Sequence, residues 1–154
     1  MKACMFTGHR NICARDAASL PDWVDMQLEQ LIEQGYTDFC AGGALGFDTL
    51  AALKVIEKKE KYGFVKLHLY LPCRTQNRGW SAPLKKAYYY VMGRADSVHY
   101  ASEEYTNWCM QKRNREMVDA SDVCIAYCNK SKGGTRYTVS YAQKKGVKVI
   151  NYCE

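Results

Sequence analysis

"DFCAGGALGFDTLAAL", residues 38–53, passes from an apolar run into Gly42-Gly43, reaches Gly46 and continues as the opening turns of a helix. A short apolar run, a glycine turn and then helical periodicity make the strand–turn–helix unit from which α/β folds are built. The stretch also poses a chemical question. Glycines between a strand and a helix either let backbone amides cradle a phosphate or only permit a tight turn.

Working outward, the same alternation fills the chain. Strand-like runs rich in β-branched, aromatic or cysteine residues occur at Lys2–Phe6, Thr37–Ala41, Val65–Leu71, Ser97–Tyr100, Val123–Tyr127 and Val147–Tyr152. Between them lie helical segments. Asp22–Gln34 carries Val24, Leu28, Leu31 and Ile32 at helical spacing and stops at Gly35, while Gly46–Lys61 turns from apolar to Lys/Glu-rich along its length. Pro83–Arg94, Tyr105–Ser121 and Thr135–Lys145 complete the set, the last ending at Gly146. Alternating strands and helices predict a Rossmann-like α/β fold, a mostly parallel sheet with helices on both faces, because parallel strands need helical crossovers. With 154 residues, 47% of them apolar, the chain has the size and composition of one domain spanning residues 1–154.

The N-terminal MKACMF enters the first strand without a basic-then-apolar leader, and no apolar run approaches the length of a membrane span. Both features predict a soluble cytoplasmic protein without a membrane partner. Eight cysteines without a CxxC pair fit a reducing compartment; Cys4, Cys40, Cys124 and Cys128 fall in predicted buried strands, where a thiol behaves as a small hydrophobe. No metal site is predicted, and His68 and His99, both in strands, read as core residues. The net charge of +6 is dispersed over Lys54, Lys58, Lys59 and Lys61 and over Lys130, Lys132, Lys144, Lys145 and Lys148. It favours anionic ligands and permits nucleic acid.

Three small-residue loops follow predicted strands: TGHR at 7–10, GGALG at 42–46 and KGGT at 132–135. In an open parallel sheet all three emerge at the carboxyl edge, where ligands bind at the topological switch point. Helices begin at the second and third, so unpaired amides and the positive dipole end face that edge. On Tyr105–Ser121, placing Met110 at the centre of a face puts Arg113, Asn114, Met117, Val118 and Ser121 on the same side and Lys112, Arg115, Glu116 and Asp119 opposite. Arg113 interrupts the apolar stripe, and a buried guanidinium needs either an internal carboxylate such as Asp48 or a ligand anion. In Tyr88-Tyr89-Tyr90 one ring faces the core and its neighbours face outward, available to a dimer surface or to stacked bases.

"FTGHR", "AGGALGFD", "YTNWCMQKRNREMVDASDVCIAY" and "KGGTRYTVSYAQKKGVKVI", in this order, resemble the YpsA-type branch of the SLOG superfamily, whose other members include the DprA/Smf proteins and the LOG enzymes. The resemblance spans essentially the whole chain and implies a Rossmann-like fold whose glycine loops bind a nucleotide or nucleotide-derived ligand. The expected ligand site therefore comprises Thr7, Gly8, His9 and Arg10 from the first loop, Gly42, Gly43, Gly46 and Asp48 from the second, Arg113 and Asn114 as its inner wall, and Gly133, Gly134 and Thr135. The leading expectation is a binding protein for a small phosphorylated nucleotide, with no cofactor assigned and a homo-dimer compatible with the fold. Two alternatives stand beside it: an N-glycosidic hydrolase of nucleoside monophosphates and a DprA-like single-stranded nucleic-acid binder. Against the hydrolase, LOG enzymes follow their Gly-Thr with a leucine and two glutamates, whereas Thr135 is followed by Arg136, Tyr137 and Thr138. Asp48 is the remaining carboxylate, a substitute if it reaches the same crevice.

Overall fold

The computed structural model describes residues 2–154. Its elements are β1 (Lys2–Gly8), α1 (Ala14–Glu33), β2 (Tyr36–Ala41), α2 (Phe47–Lys61), β3 (Lys66–Leu71), α3 (Ala82–Arg94), β4 (Ser97–Tyr100), α4 (Cys109–Asp119), β5 (Val123–Tyr127), α5 (Gly134–Lys144) and β6 (Lys148–Asn151). The six strands form one all-parallel sheet in the order β4-β3-β2-β1-β5-β6. The direction of winding reverses between β1 and β5. This is the α/β Rossmann-like architecture the sequence predicts.

Strand parity distributes the core between two layers. Cys4, Phe6, Phe39, Ala41, Val123 and Ile125 face α1, α2 and α3, packing with Leu20, Val24, Leu28 and Val55. Their alternates Met5, Cys40, Cys124 and Ala126 face α4 and α5 and meet Met117, Val118, Val139 and Ala142. Burial pushes the Cys40 and Cys124 thiols up to about 12, so they remain protonated apolar filler.

Two helices depart from the sequence reading. Helix α1 begins at Ala14 instead of Asp22 and carries Pro21 inside it. Proline in a helix interior costs about 3 kcal/mol, which makes it a natural boundary in a sequence. Here the buried row Asp16, Leu20, Val24, Leu28 and Leu31 runs straight through it. Burying each aliphatic side chain of that row contributes about 1.5–3 kcal/mol, enough to outweigh the lost bond. Helix α4 is turned by one position from the expected phase. Cys109, Arg113, Met117 and Val118 are buried, whereas Met110, the expected centre of the face, is 46% exposed. The edge strand β4 also exposes His99, which pairs with Glu116 at 3.1 Å rather than joining the core. His68 is half-buried between Asp38 and Ser97. Among the tyrosines of α3, Tyr88 is buried and Tyr89 and Tyr90 are exposed, as their spacing predicts.

Candidate functional site

Because every strand is parallel, the loops after β1, β2 and β5 open on one edge. His9 ties the first to the third across the switch point. Its amide donates to Tyr127 O (3.2 Å), and its Nε2 accepts the Asn129 amide (3.0 Å). Burial, reinforced by the charges of Lys130 and Arg136, holds its pKa below the usual imidazole value. A neutral ring is what an accepting Nε2 requires.

The glycines of the loop after β2 are closely packed on their Cβ side. An added Cβ at Gly46, where φ is +79°, would lie 2.1 Å from Arg10 O. At Gly42 it would lie 2.6 Å from Arg113 Nη1 and 2.9 Å from Asp48 Oδ2, and at Gly43 2.5 Å from Leu71. Gly8 is closed in the same way, with the Phe47 ring 2.5 Å from its Cβ position. The space beside these glycines is occupied by the protein itself. The first amide of α2 is taken as well, since Phe47 N–H donates to His9 O (3.2 Å). On the Cβ side of its glycines GGALG packs tightly against the first loop and the side chains beneath it.

Arg113 is the strut of that turn. It is 5% exposed, and its Nη1 donates to Gly42 O and to Tyr70 O (3.3 Å), its Nε to Asn114 Oδ1 (2.7 Å). The guanidinium thus joins the ends of β2 and β3 from below. Asp48 lies on the same side of Gly42 as the guanidinium, buried, with Oδ2 accepting the Ala44 amide (3.3 Å). Burial raises its pKa to about 6 against the pull of Arg113 and that amide. Asn114 sits between α4 and α5 beside Tyr137 and Thr138, and Thr7 is buried at the end of β1. The Arg10 side chain lines an open apolar cleft of about 570 Å³ with Ile12, Leu45, Leu50, Leu53 and Leu84.

The loop after β5 is different. Gly133 caps α5 with φ +103°, and no atom lies within 4 Å of an added Cβ at Gly133 or Gly134. The first turn of the helix leaves the amides of Gly134, Thr135 and Arg136 without intrahelical acceptors. Arg136 folds back to donate to Lys130 O (2.8 Å), and Lys130 and Lys132 are exposed beside it. Tyr137 OH accepts from Arg115 (2.7 Å) and Thr138 Oγ1 donates to Gly134 O (2.9 Å), so both side chains have partners inside the protein.

The sequence reading missed a second cleft at the switch point. It measures about 510 Å³ and is lined by Arg15, Asp16, Asn129, Tyr152 and Cys153. Asp16, 3% exposed, accepts a hydrogen bond from Tyr127 OH (2.6 Å). The signal that could have found it was the i, i+4 spacing from Asp16 to Leu20 and Val24, which Pro21 masks. Among the described residues no cluster of three or more His, Cys, Asp or Glu is placed to hold a metal, and no helix is long and apolar enough to cross a membrane.

Residues 6–152 match the YpsA family, described as the YspA SLOG family. The chain belongs to that family. It is similar to the uncharacterized SPbeta prophage-derived protein YoqJ of Bacillus subtilis (strain 168), with 33% identity over 130 residues covering 76% of each chain. Its fold is similar to that of DNA processing protein A (DprA) from Streptococcus pneumoniae, with a TM-score of 0.72 and 18% identity over 97% of this chain and 50% of that one. It is also similar to DprA from Helicobacter pylori, a structure that describes a single-stranded DNA binding mode, with a TM-score of 0.69 and 18% identity over 97% of this chain and 64% of that one. At such identity the likeness to DprA is one of fold. This SLOG family chain spans half the length of the first DprA chain and just under two thirds of the second.

Proposed function

We propose that the protein is a cytosolic binding protein for a phosphorylated nucleotide or nucleotide-derived ligand, with the phosphate seated on the N-terminus of α5. The observation that carries this reading is the open Gly133-Gly134 helix start at the switch point between β1 and β5. It combines unpaired amides, the positive end of a helix dipole and the Lys130/Arg136 charges that already depress the His9 pKa. Thr135 lies on the same turn. Gly42, Gly43, Gly46 and Arg113 shape the neighbouring wall rather than touch phosphate. Binding is favoured over N-glycosidic hydrolysis because the positions after Thr135 hold Arg136, Tyr137 and Thr138, and because Asp48 is sealed beneath Gly42. The free state of all eight cysteines accords with a reducing cytosol.

The test is a thermal-shift panel of AMP, ADP and pyrophosphate at millimolar concentration, repeated on Gly134→Asp. Ligand that binds only the native state raises Tm by mass action. The variant folds, since the added side chain meets nothing and a carboxylate suits a first helical turn, but its charge repels phosphate. Absence of any shift in the unmodified protein, or an undiminished shift in Gly134→Asp, overturns the reading. A second reading, binding of single-stranded nucleic acid, is favoured by Tyr105 and Trp108, 62% and 72% exposed before α4. Base stacking there is worth about 1–3 kcal/mol per ring, so Trp108→Ala should weaken oligonucleotide binding at least several-fold, and the affinity should fall steeply with salt.

A further inference from the structure

We propose that the cleft bounded by Arg15, Asp16, Asn129, Tyr152 and Cys153 receives the ribose of the bound nucleotide, with the Asp16 carboxylate accepting hydrogen bonds from the sugar's vicinal hydroxyls. The inference rests on the phosphate reading above and extends it to the sugar.

Asp16 is placed to act as an acceptor. The Tyr127 hydroxyl and then the Cys13 thiol hold its carboxyl below the usual carboxylate range, so it is ionised at neutral pH. Tyr127 itself, 1% exposed, is kept protonated by burial and by that hydrogen bond, and so remains a donor. A carboxylate offers about four acceptor directions. Tyr127 fixes one at 2.6 Å, the Cys13 thiol takes another, and Arg15 Nε makes a 3.3 Å contact with the second oxygen from a side chain that is 87% exposed. The remaining acceptor capacity belongs to a residue that lines the cleft.

The surroundings decide which donor fits. A cationic ligand would meet Arg15 beside the carboxylate and the field of Lys130 and Arg136 across the loop. A phosphate would meet the Asp16 charge itself. Neutral hydroxyls suit the site, and two on adjacent carbons match the two oxygens of one carboxylate. Asn129 adds a side-chain amide with no hydrogen-bond partner among the described residues, since only its backbone binds His9. Tyr152 OH, 2.6 Å from Ser19 Oγ, supplies a further hydroxyl.

The cleft also adjoins the phosphate seat. Asn129 begins the loop that ends at Gly133, and Arg136 in the first turn of α5 reaches Glu154 (3.9 Å), the neighbour of Cys153. A nucleotide lying across the β1/β5 switch point places phosphate and sugar on adjoining surfaces, as open α/β sheets do with their ligands.

The experiment measures binding of ADP, 2′-deoxy-ADP, adenosine, 2′-deoxyadenosine and pyrophosphate by calorimetry to the unmodified protein, Asp16→Asn and Asn129→Ala. A hydrogen bond to a buried charge predicts a preference for ADP over 2′-deoxy-ADP of about tenfold or more. Asp16→Asn should bring that ratio close to one while leaving pyrophosphate affinity unchanged. Asn129→Ala, on an exposed loop, should narrow the ratio and carries the test if Asp16→Asn does not fold. Equal affinity of the unmodified protein for the ribo and deoxy forms overturns the inference and leaves the phosphate reading standing. If pyrophosphate fails to bind but adenosine is still preferred over its deoxy form and Asp16→Asn removes the preference, the phosphate reading falls and the sugar site survives. Failure of ADP and adenosine alike to bind overturns both.

Discussion

Gly42→Ala and Gly134→Ala add the same methyl group to two glycines of the same sheet edge, and the structure assigns them opposite consequences. At Gly42 the methyl would lie 2.6 Å from Arg113 Nη1, 2.9 Å from its Cζ and 2.9 Å from Asp48 Oδ2. The guanidinium has nowhere to retreat, being 5% exposed and bonded to Gly42 O, Tyr70 O and Asn114. Overpacking costs about 1–3 kcal/mol, and stranding a buried donor or acceptor costs about 1–3 more. The loss of glycine's unfolded-state freedom returns less than about 1 kcal/mol. Gly42→Ala should therefore destabilise by about 1–5 kcal/mol. At Gly134 nothing lies within 4 Å and the backbone is helical, so alanine there should be neutral or stabilising by up to about 1 kcal/mol. Urea unfolding followed by circular dichroism measures both, provided the m-values agree. The cost of Gly42→Ala should also shrink in an Arg113→Met background, since the nearer of the two clashing groups is gone and the pair is coupled. A Gly42→Ala protein within 0.5 kcal/mol of the unmodified one, on the scale of an ordinary surface change, refutes the assignment of this glycine to close packing.

The carboxyl of Asp48 should leave a signature in the pH dependence of stability. Its pKa rises from an ordinary 3.8 to about 6 on folding, so the native state holds the proton more tightly and stability is lost as pH climbs through that window. The loss amounts to about 3 kcal/mol at 1.36 kcal/mol per unit; denaturation between pH 4 and 7 should show it in the unmodified protein and not in Asp48→Asn. Glu29 works in the opposite direction. Lys58, and after it Tyr62, lowers its pKa from 4.5 to about 2, so its contribution is complete above 4.5 and disappears as pH falls toward 2. Glu29→Gln should flatten the acid limb of the same curve. Pro21→Ala should stabilise by about 1–3 kcal/mol, because it restores the helical donor to Ala17 O at the smaller expense of a more flexible unfolded chain; a lowered Tm would show that the proline is required where it is.

The order of strands and helices was legible in the sequence because each element carries its own period. β2, α2 and β5 announce themselves through apolar runs and glycine stops that no distant residue can alter. The inward aim of Arg113 was legible for the same reason, since a charge on an apolar helical stripe is a local fact. Its partner was not, because the carbonyls of Gly42 and Tyr70 are brought to it by the pairing of β2 with β3. Local pattern also placed α1 too late: the cost of Pro21 is visible in the sequence, whereas the burial of Leu20 and Val24 that overrides it exists only once the sheet is assembled. The glycines show the division most plainly. Sequence alone made the loops after β2 and β5 equal candidates to hold a phosphate. Only the tertiary structure filled the first with Arg113, Arg10 and Leu71, left the second open, and set Asp16 against Tyr127 across 111 residues of chain. Sequence fixes which backbone can come close; which atoms then occupy the space is decided by the packing of segments that no local pattern relates.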